Sequence, residues 1–433
     1  MAATDSFSTA FDAALRQTLS DALNPKIAVA VSGGGDSMAL ALLLRDWVRK
    51  NGGEILALTV DHALRKNSAQ EAEETGKRLA EHGIAHRIML WDEGKPQSGL
   101  QEQARIARYH LLLRECRKSG FPLLAVAHNA EDQMETFWMR LAHGSGLDGL
   151  CGMAPVTEKE GIRIIRPLLG FSREELRDVC KNRGVAWAED PSNENAKFLR
   201  VRLRAFEELL AAEGLSPQRL SRTLQKLNYA RESLRFVERQ VCGAVAVSHP
   251  EGYTVMNVTK WREYPGDIRR RVLLNLLQRT ASQRYPSGFE ALEELIGALQ
   301  APDFQGRTLD GCEIFPSGEE DIVFCREFAA VETRVAAFEN AVWDGRFTVS
   351  GLREEGLEIG VLGDDGLAQR KKAGFSSSKE LPFKIRRTLP ALWRGQELWA
   401  VPHLGYRHRD CQSEGGFLSI LLTEGRDGFP PSF

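Results

Sequence analysis

Along the first half of the chain, short apolar runs alternate with stretches in which apolar residues recur at helical spacing. Residues 27–31 form a compact run rich in Val and Ala, the pattern of a strand buried on both faces. A glycine-rich segment, 32–35, follows, and helical periodicity then runs from Asp36 to about Arg49. Gly52 and Gly53 close that helix, and 55–60 reads as a second strand. Ser68 and Glu71 have the spacing of a capping box for a helix ending near His82, with Gly83 as its stop. Residues 85–91 predict a third strand, 101–118 a long helix, 123–127 a fourth strand, and another helix opens near Glu131. This alternation predicts an α/β fold with a doubly wound parallel sheet, whose ligand sits at the carboxyl ends of the strands.

Beyond about Arg204 the rhythm changes. Residues 209–240 are dominated by helical periodicity with many Arg and Lys, and 265–299 suggest two more helices. From Gly306 short apolar segments alternate with turn residues, as in a β-rich region. The expected division is therefore an α/β domain over 1–210, a helical middle domain over 211–335 and a small β-rich C-terminal domain over 336–433.

Composition narrows the class. The chain has 433 residues, 42% hydrophobic and 27% charged, which suits a globular protein of more than one domain. No apolar run is long enough to cross a bilayer, and acids interrupt the first 24 residues, which read as an amphipathic helix rather than a signal peptide. A cytoplasmic protein with no membrane partner is expected. Seven scattered cysteines without a C-x-x-C pair argue against disulfides, zinc and iron–sulfur clusters. The net charge of -2 gives no overall sign of nucleic acid, so any polyanion site must come from local clusters of Lys and Arg.

The sharpest chemical signal is Ser32-Gly33-Gly34-Gly35-Asp36-Ser37, set between a strand and a helix. Glycines let the backbone turn tightly and present N–H groups to a ligand, and the helix adds its positive dipole end. A pyrophosphate fits there. Asp36 can hold a magnesium ion against it, and the hydroxyls of Ser32 and Ser37 can donate to phosphate oxygens. The string lacks the Gly-Lys-Ser/Thr ending of a Walker loop and the spacing of a dinucleotide fingerprint. A bare glycine turn is the plain alternative, and the full string in this context weighs against it.

The string resembles the loop of the PP-loop (N-type) ATP pyrophosphatases, which split ATP into AMP and pyrophosphate to adenylate an oxygen that a nucleophile then displaces. Further segments resemble the tRNA(Ile)-lysidine synthetases within that family: Val60-Asp61-His62-Ala63-Leu64-Arg65, Glu102 through Tyr109 with Arg105 and Arg108, and His128-Asn129-Ala130-Glu131-Asp132-Gln133-Met134-Glu135-Thr136. Arg166-Pro167-Leu168-Leu169 and Glu189-Asp190-Pro191-Ser192-Asn193, leading to Arg200, Arg202 and Arg204, extend the pattern. The resemblance is dense over about 25–205, thin to about 340, and returns weakly between Leu381 and Tyr406. Ala63 stands where those proteins have glycine, which matters if the position needs a positive φ.

The resemblance implies ATP and Mg2+ as cofactors, a tRNA(Ile) with a CAU anticodon and free L-lysine as partners, and Asp36, Asp132, Glu135 and Arg105 in catalysis. The ε-amine of lysine would join carbon 2 of the wobble cytidine, changing codon reading from AUG to AUA. Asp61, His62, Arg65, Arg108, His128, Arg200, Arg202 and Arg204 become candidate contacts to RNA or substrate. In the C-terminal part a basic stretch containing Lys384, Arg386 and Arg387, with Trp393 and Trp399 nearby, suits tRNA backbone. Each has a bland reading beside it. Acids in a first helical turn can simply answer the helix dipole, and single arginines can be solvated. The rivals are a tRNA thiolase, disfavoured by the cysteines, an ammonia-using synthetase, and a silent tRNA-binding protein. A homodimer is one of the assemblies left open.

Overall fold

A computed structural model describes residues 2–19, 24–63, 67–92, 100–188, 207–281, 288–352, 354–375, 381–411 and 419–422. The chain forms two compact units that part between Arg231 and Glu232.

Unit 1 is built on a six-stranded sheet. Its described elements are α1 (Ala2–Thr18), β1 (Lys26–Ala30), α2 (Gly35–Asn51), β2 (Glu54–Asp61), α3 (Ser68–Glu81), β3 (Ala85–Leu90), α4 (Leu100–Ser119), β4 (Leu123–Ala125), α5 (Ala130–Ala142), α6 (Leu147–Leu150), β5 (Val156–Lys159), β6 (Ile162–Ile165), α7 (Arg173–Lys181) and α8 (Glu207–Ala212). The sheet order is β3-β2-β1-β4-β6-β5, with every pair parallel except β5 against β6. The antiparallel β5–β6 hairpin was not foreseen from the apolar pattern. Its strands are only four residues long, and Thr157, Glu158, Lys159 and Arg163 dilute the signal.

Alternate residues of β1 face opposite layers. Ile27 and Val29 pack with the buried face of α2, including Leu40, Leu42 and Leu44, and with Leu176 of α7. Ala28 packs with Leu112 and Leu113 of α4 on the other side. The sheet is therefore covered on both faces, as a parallel sheet requires. The amphipathic α1 joins the first layer through Phe11 and Leu15, and its Asp12 accepts from the Trp47 indole at 2.6 Å. One capping expectation is corrected: the N-cap of α3 is Asn67, so Ser68 lies inside the first turn.

The helix α9 (Pro217–Val245) crosses the point where the units part. Unit 2 continues with β7 (Ala246–His249), β8 (Tyr253–Asn257), α10 (Val258–Arg262), α11 (Gly266–Ala281), α12 (Phe289–Gln300), β9 (Arg307–Leu309), β10 (Cys312–Ser317) and β11 (Asp321–Arg326). The helices expected between 265 and 299 are present, and they pack on an antiparallel sheet β7-β8-β11-β10-β9 around buried Trp261 and Phe324. The remainder is β-rich: β12 (Val335–Ala336), β13 (Val342–Trp343), β14 (Phe347–Ser350), β15 (Glu358–Val361), α13 (Gly363–Lys372), α14 (Phe383–Arg387), β16 (Pro390–Arg394), β17 (Glu397–Val401), β18 (Tyr406–Arg407) and β19 (Ser419–Leu422).

Within unit 2 the β11 sheet and the β-rich part share a buried ion cluster. The Asp344 carboxylate, 1% exposed, accepts from Arg326 Nε and Nη2 at 3.1 and 3.0 Å and from Arg346 Nε at 2.8 Å. It also accepts from the Glu332 N–H at 3.2 Å, while Arg346 Nη1 donates to Gly252 O at 3.3 Å. Burial pulls the Arg346 guanidinium below its ordinary range, with Asp344 opposing that shift.

Candidate active site

All parallel strands end on one edge of the unit 1 sheet, and the connections leave β1 and β4 in opposite directions. The crevice of a doubly wound sheet opens between such neighbours. From β1 the chain enters the glycine loop. Gly33 has φ +85°, and a Cβ there would lie 2.6 Å from Thr75 Oγ1, so no side chain is tolerated. Gly34 is the N-cap of α2 and has no capping side chain, which leaves first-turn N–H groups for a ligand. The Ser37 hydroxyl donates to Gly34 O at 2.9 Å and accepts from the Ser32 N–H at 3.2 Å. It therefore braces the loop from inside, whereas Ser32 is exposed. Trp187 covers Gly35, with ring atoms 3.5 Å from where a Cβ would stand, and the Ala188 N–H donates to Gly33 O at 2.9 Å.

Asp36 is the first acid of α2, and Asn129 Nδ2 reaches it from the end of β4 at 2.9 Å. This bond spans the β1–β4 crevice. Asn129 also caps α5: its side chain accepts from the Asp132 N–H at 2.9 Å, and Asp132 Oδ2 accepts from the Asn129 N–H at 3.1 Å. Glu135 lies one turn on and is 2% exposed. Arg173, the first residue of α7, approaches both acids, with Nε 3.6 Å from Asp36 and Nη2 3.9 Å from Asp132. Its main-chain N–H donates to the Glu131 carboxylate.

Burial pushes the Asp36 carboxyl up to about 6; Arg173 opposes the shift, and Asp132 and Glu131 add to it. A buried carboxyl among acids is a place that favours a cation. Among the described residues no three His, Cys, Asp or Glu side chains form a metal cage. Magnesium does not need one, since it binds through one or two carboxylates together with phosphates and waters. Asp36 beside the glycine loop fits that donor set.

The structure thus brings together Ser32 through Ser37, Asp36 and Asp132. Asn129, Glu131, Arg173 and Trp187 complete the group, and sequence reasoning gave none of them a role. Asn129 and Glu131 lie within residues 128–136, where they read locally as a helix cap and a first-turn acid. For Arg173 and Trp187 no spacing signal ties them to Asp36, because the link is made only by the fold.

Arg105 and Arg108 gather elsewhere, on the face of the sheet opposite α2. Their guanidinium carbons lie 5.4 and 5.8 Å from the ring centre of buried Tyr109, and Lys159 lies at 5.8 Å. Arg166, 8% exposed, is in the same cluster and donates to Ala154 O and Thr157 Oγ1. His128 is half-buried at the end of β4. His62 stands edge-on to Trp91, with centroids 5.8 Å apart. Buried Asp61 accepts from the Ala63 N–H at 2.8 Å. Ala63 does adopt a positive φ, +48°. Ala63→Gly is expected to raise the stability of unit 1 by about 0.5–1 kcal/mol, since a Cβ is costly in the left-handed region. Thermal denaturation checks this, and an unchanged midpoint would mean that the Asp61 turn holds Ala63 without strain. Arg65, Arg200, Arg202, Arg204 and the segment 190–193 lie outside the described residues.

In unit 2 the basic stretch is less free than its sequence suggests. Lys384 pairs with Glu313 at 2.7 Å, Arg387 with Asp364 at 2.9 Å and Arg394 with Glu354 at 2.9 Å. The acids Glu313, Asp364 and Glu354 come from earlier parts of the chain and meet these cations only in the fold. Trp393 and Trp399 are 1% and 3% exposed and belong to the core, so neither can stack on a base. Arg386 differs: it lines a pocket with Arg370, Lys371, Phe375 and Phe383, and among the described residues buried donors of Arg370 and Arg386 have no hydrogen-bond partner there. The cysteines are all free, five of them buried, and burial raises Cys116 to about 12. No described helix is long and apolar enough to cross a membrane.

Comparison with known proteins agrees with this geometry. Residues 7–210 match the family described as the PP-loop domain. The chain is 35% identical to the tRNA(Ile)-lysidine synthase of Ruegeria pomeroyi over 88% of its own length and 89% of that protein. It is 38% identical to that of Hyphomonas neptunium over 70% and 83%, and 30% identical to that of Wolbachia pipientis wMel over 90% and 91%. With the PP-loop match over its first half and relatives of this identity covering most of both chains, the chain belongs to the tRNA(Ile)-lysidine synthase family of PP-loop proteins.

Proposed function

We propose that this protein uses ATP to join free L-lysine, through its ε-amine, to carbon 2 of the wobble cytidine of a tRNA(Ile) bearing a CAU anticodon. The observation that carries the reading is the Asp36–Asn129 bond across the β1–β4 crevice, which sets the glycine loop beside the acids of α5. The N–H groups of the loop and the start of α2 cradle the phosphates of ATP. Asp36 would hold Mg2+, which would supply charge neutralisation there. The cytidine, splayed from its loop, presents its carbon-2 oxygen to the α-phosphate. The new oxygen–phosphorus bond forms as pyrophosphate leaves.

Lysine nitrogen then attacks carbon 2, and the carbon–oxygen bond breaks to release AMP. The amine, with an ordinary pKa of about 10.4, must first surrender a proton. Asp132 or Glu135 orients the ammonium or takes that proton. Arg105 and Arg108 hold phosphate on the opposite side of the sheet, and Asp61, His62 and His128 line the strand-end edge toward the RNA. Residues 1–210 act as the catalytic part, with 211–335 and 336–433 reading the tRNA. There Arg370, Lys371 and Arg386 offer three cations to backbone phosphate. The enzyme acts in the cytoplasm.

The test is direct. Purified protein, ATP, Mg2+, labelled lysine and unmodified tRNA(Ile) should give labelled RNA. A methionine tRNA with the same anticodon, or omission of ATP, should not. A folded, ATP-binding protein that transfers no label sinks the proposal and directs attention to sulfur donors on the same tRNA.

A further inference from the structure

We propose that Arg173 is a built-in counter-cation of the acidic pocket, displaced when a divalent cation enters; this rests on the reading of the site given above. Four carboxylates, those of Asp36, Asp132, Glu131 and Glu135, act on its guanidinium. Arg177 also acts on Asp36, less than Arg173 does. Among the described residues, Arg173 is the cation that stands within 4 Å of both Asp36 and Asp132.

Its attachment is one-sided. The main chain of Arg173 is fixed, because its N–H donates to both Glu131 oxygens at 3.1 and 3.0 Å and its helix is capped by Ser172. The guanidinium is not fixed in the same way. At 3.6 Å from Asp36 and 3.9 Å from Asp132 it stands outside hydrogen-bond distance of either. The shorter contacts to those acids come from Asn129. An arginine committed to a structural pair closes to hydrogen-bond distance, as Arg326 and Arg346 do on Asp344. Arg173 instead balances charge at a distance, on a long stem whose base is anchored. Asp36 Oδ2, which lies 3.6 Å from its Nε, belongs to the first-turn acid of α2, directly after the glycine loop. A metal ion on that carboxylate and a guanidinium beside it repel each other, so one makes way for the other.

The test uses the full chain with Arg173→Gln and Arg173→Lys. Thermal midpoints are measured against MgCl2 alone, with KCl matching ionic strength, and the Mg2+ requirement for ATP binding is read from tryptophan fluorescence. Arg173→Gln should melt below wild type without Mg2+, and the deficit should close as MgCl2 rises but not as KCl rises. Its half-saturating Mg2+ should fall roughly three- to tenfold, because the competitor is gone. Arg173→Lys should stay near wild type in both readouts. A deficit that is the same at every Mg2+ concentration would overturn the proposal in favour of a structural ion pair. Weaker ATP binding by Arg173→Gln at saturating Mg2+ would overturn it in favour of a phosphate contact. Lysine transfer by wild type is assayed separately, so a failure of the functional reading shows there and not in the cation shift.

Discussion

Asp36→Asn is expected to lower lysine transfer by about 10²–10³-fold, the loss seen when a charge-stabilising group leaves a preorganised site. The same substitution should make unit 1 more stable at pH 8. Burial raises the Asp36 carboxyl from 3.8 to about 6. Below about pH 4 the group is protonated in both folded and unfolded chains, and it contributes nothing. Between about pH 4 and 6 the unfolded chain ionises first, so stability falls as pH rises; above about 6 the full penalty remains. Two pKa units correspond to about 2–3 kcal/mol, and the side chain is 27% exposed, so little of this is screened. Asparagine is isosteric and can still accept from Asn129 Nδ2. The unit 1 midpoint should therefore rise by roughly 5–10 °C at pH 8 and hardly at all at pH 4. Pyrophosphate release at the wild-type rate would remove Asp36 from the chemistry. A variant no more stable than wild type at pH 8 would disprove the burial argument.

Asp344→Asn is expected to have the largest effect on unit 2. The lost charge leaves Arg326 and Arg346, 7% and 3% exposed at their side chains, without a carboxylate. Removing one partner of a buried ion cluster costs about 3–5 kcal/mol. Asp344 has φ +51°, which asparagine adopts as readily as aspartate, so the change isolates charge from backbone strain. Chemical denaturation should show the unit 2 transition moving to lower denaturant while Mg·ATP binding in unit 1 is kept. A loss under about 1 kcal/mol would mean that the carbonyls of Gly311, Ala330 and Gly252 already satisfy the two arginines.

These two sites mark what the residues alone disclosed. The glycine loop and Asp36 were legible because phosphate binding imposes a local string on one strand–helix junction. The strands and helices of unit 1 were legible because burial on both faces leaves continuous apolar runs. Ala63 was flagged by its neighbours, and its positive φ became visible only in the fold. Asn129 reads locally as a cap, and nothing near it announces that its amide crosses to Asp36. Arg173 follows Asp36 by more than a hundred positions, and Asp344 follows Arg326 after the short strands β12 and β13, which pair with β15 and β14; charges so separated pair only after the chain folds. The tryptophans of β16 and β17 misled for a related reason. A basic stretch around an aromatic reads as a nucleic-acid surface, yet β16 and β17 are buried on both faces, so Trp393 and Trp399 enter two different core clusters.

Among the described residues β3 is one end of the unit 1 sheet, paired with β2 alone, and Ile88 and Leu90 on it are 44% and 53% exposed. An unpaired, apolar strand edge is a template for a second chain. Arg87, next to Ile88 and held by Glu115 and Ser119 of α4, puts a charge on that edge. The charge of Arg87 therefore works against edge-to-edge pairing of β3, and salt weakens that effect. Crowding during synthesis, when β2 and β3 have emerged and α4 has not, is the moment at which neighbouring chains can zip together before they can fold.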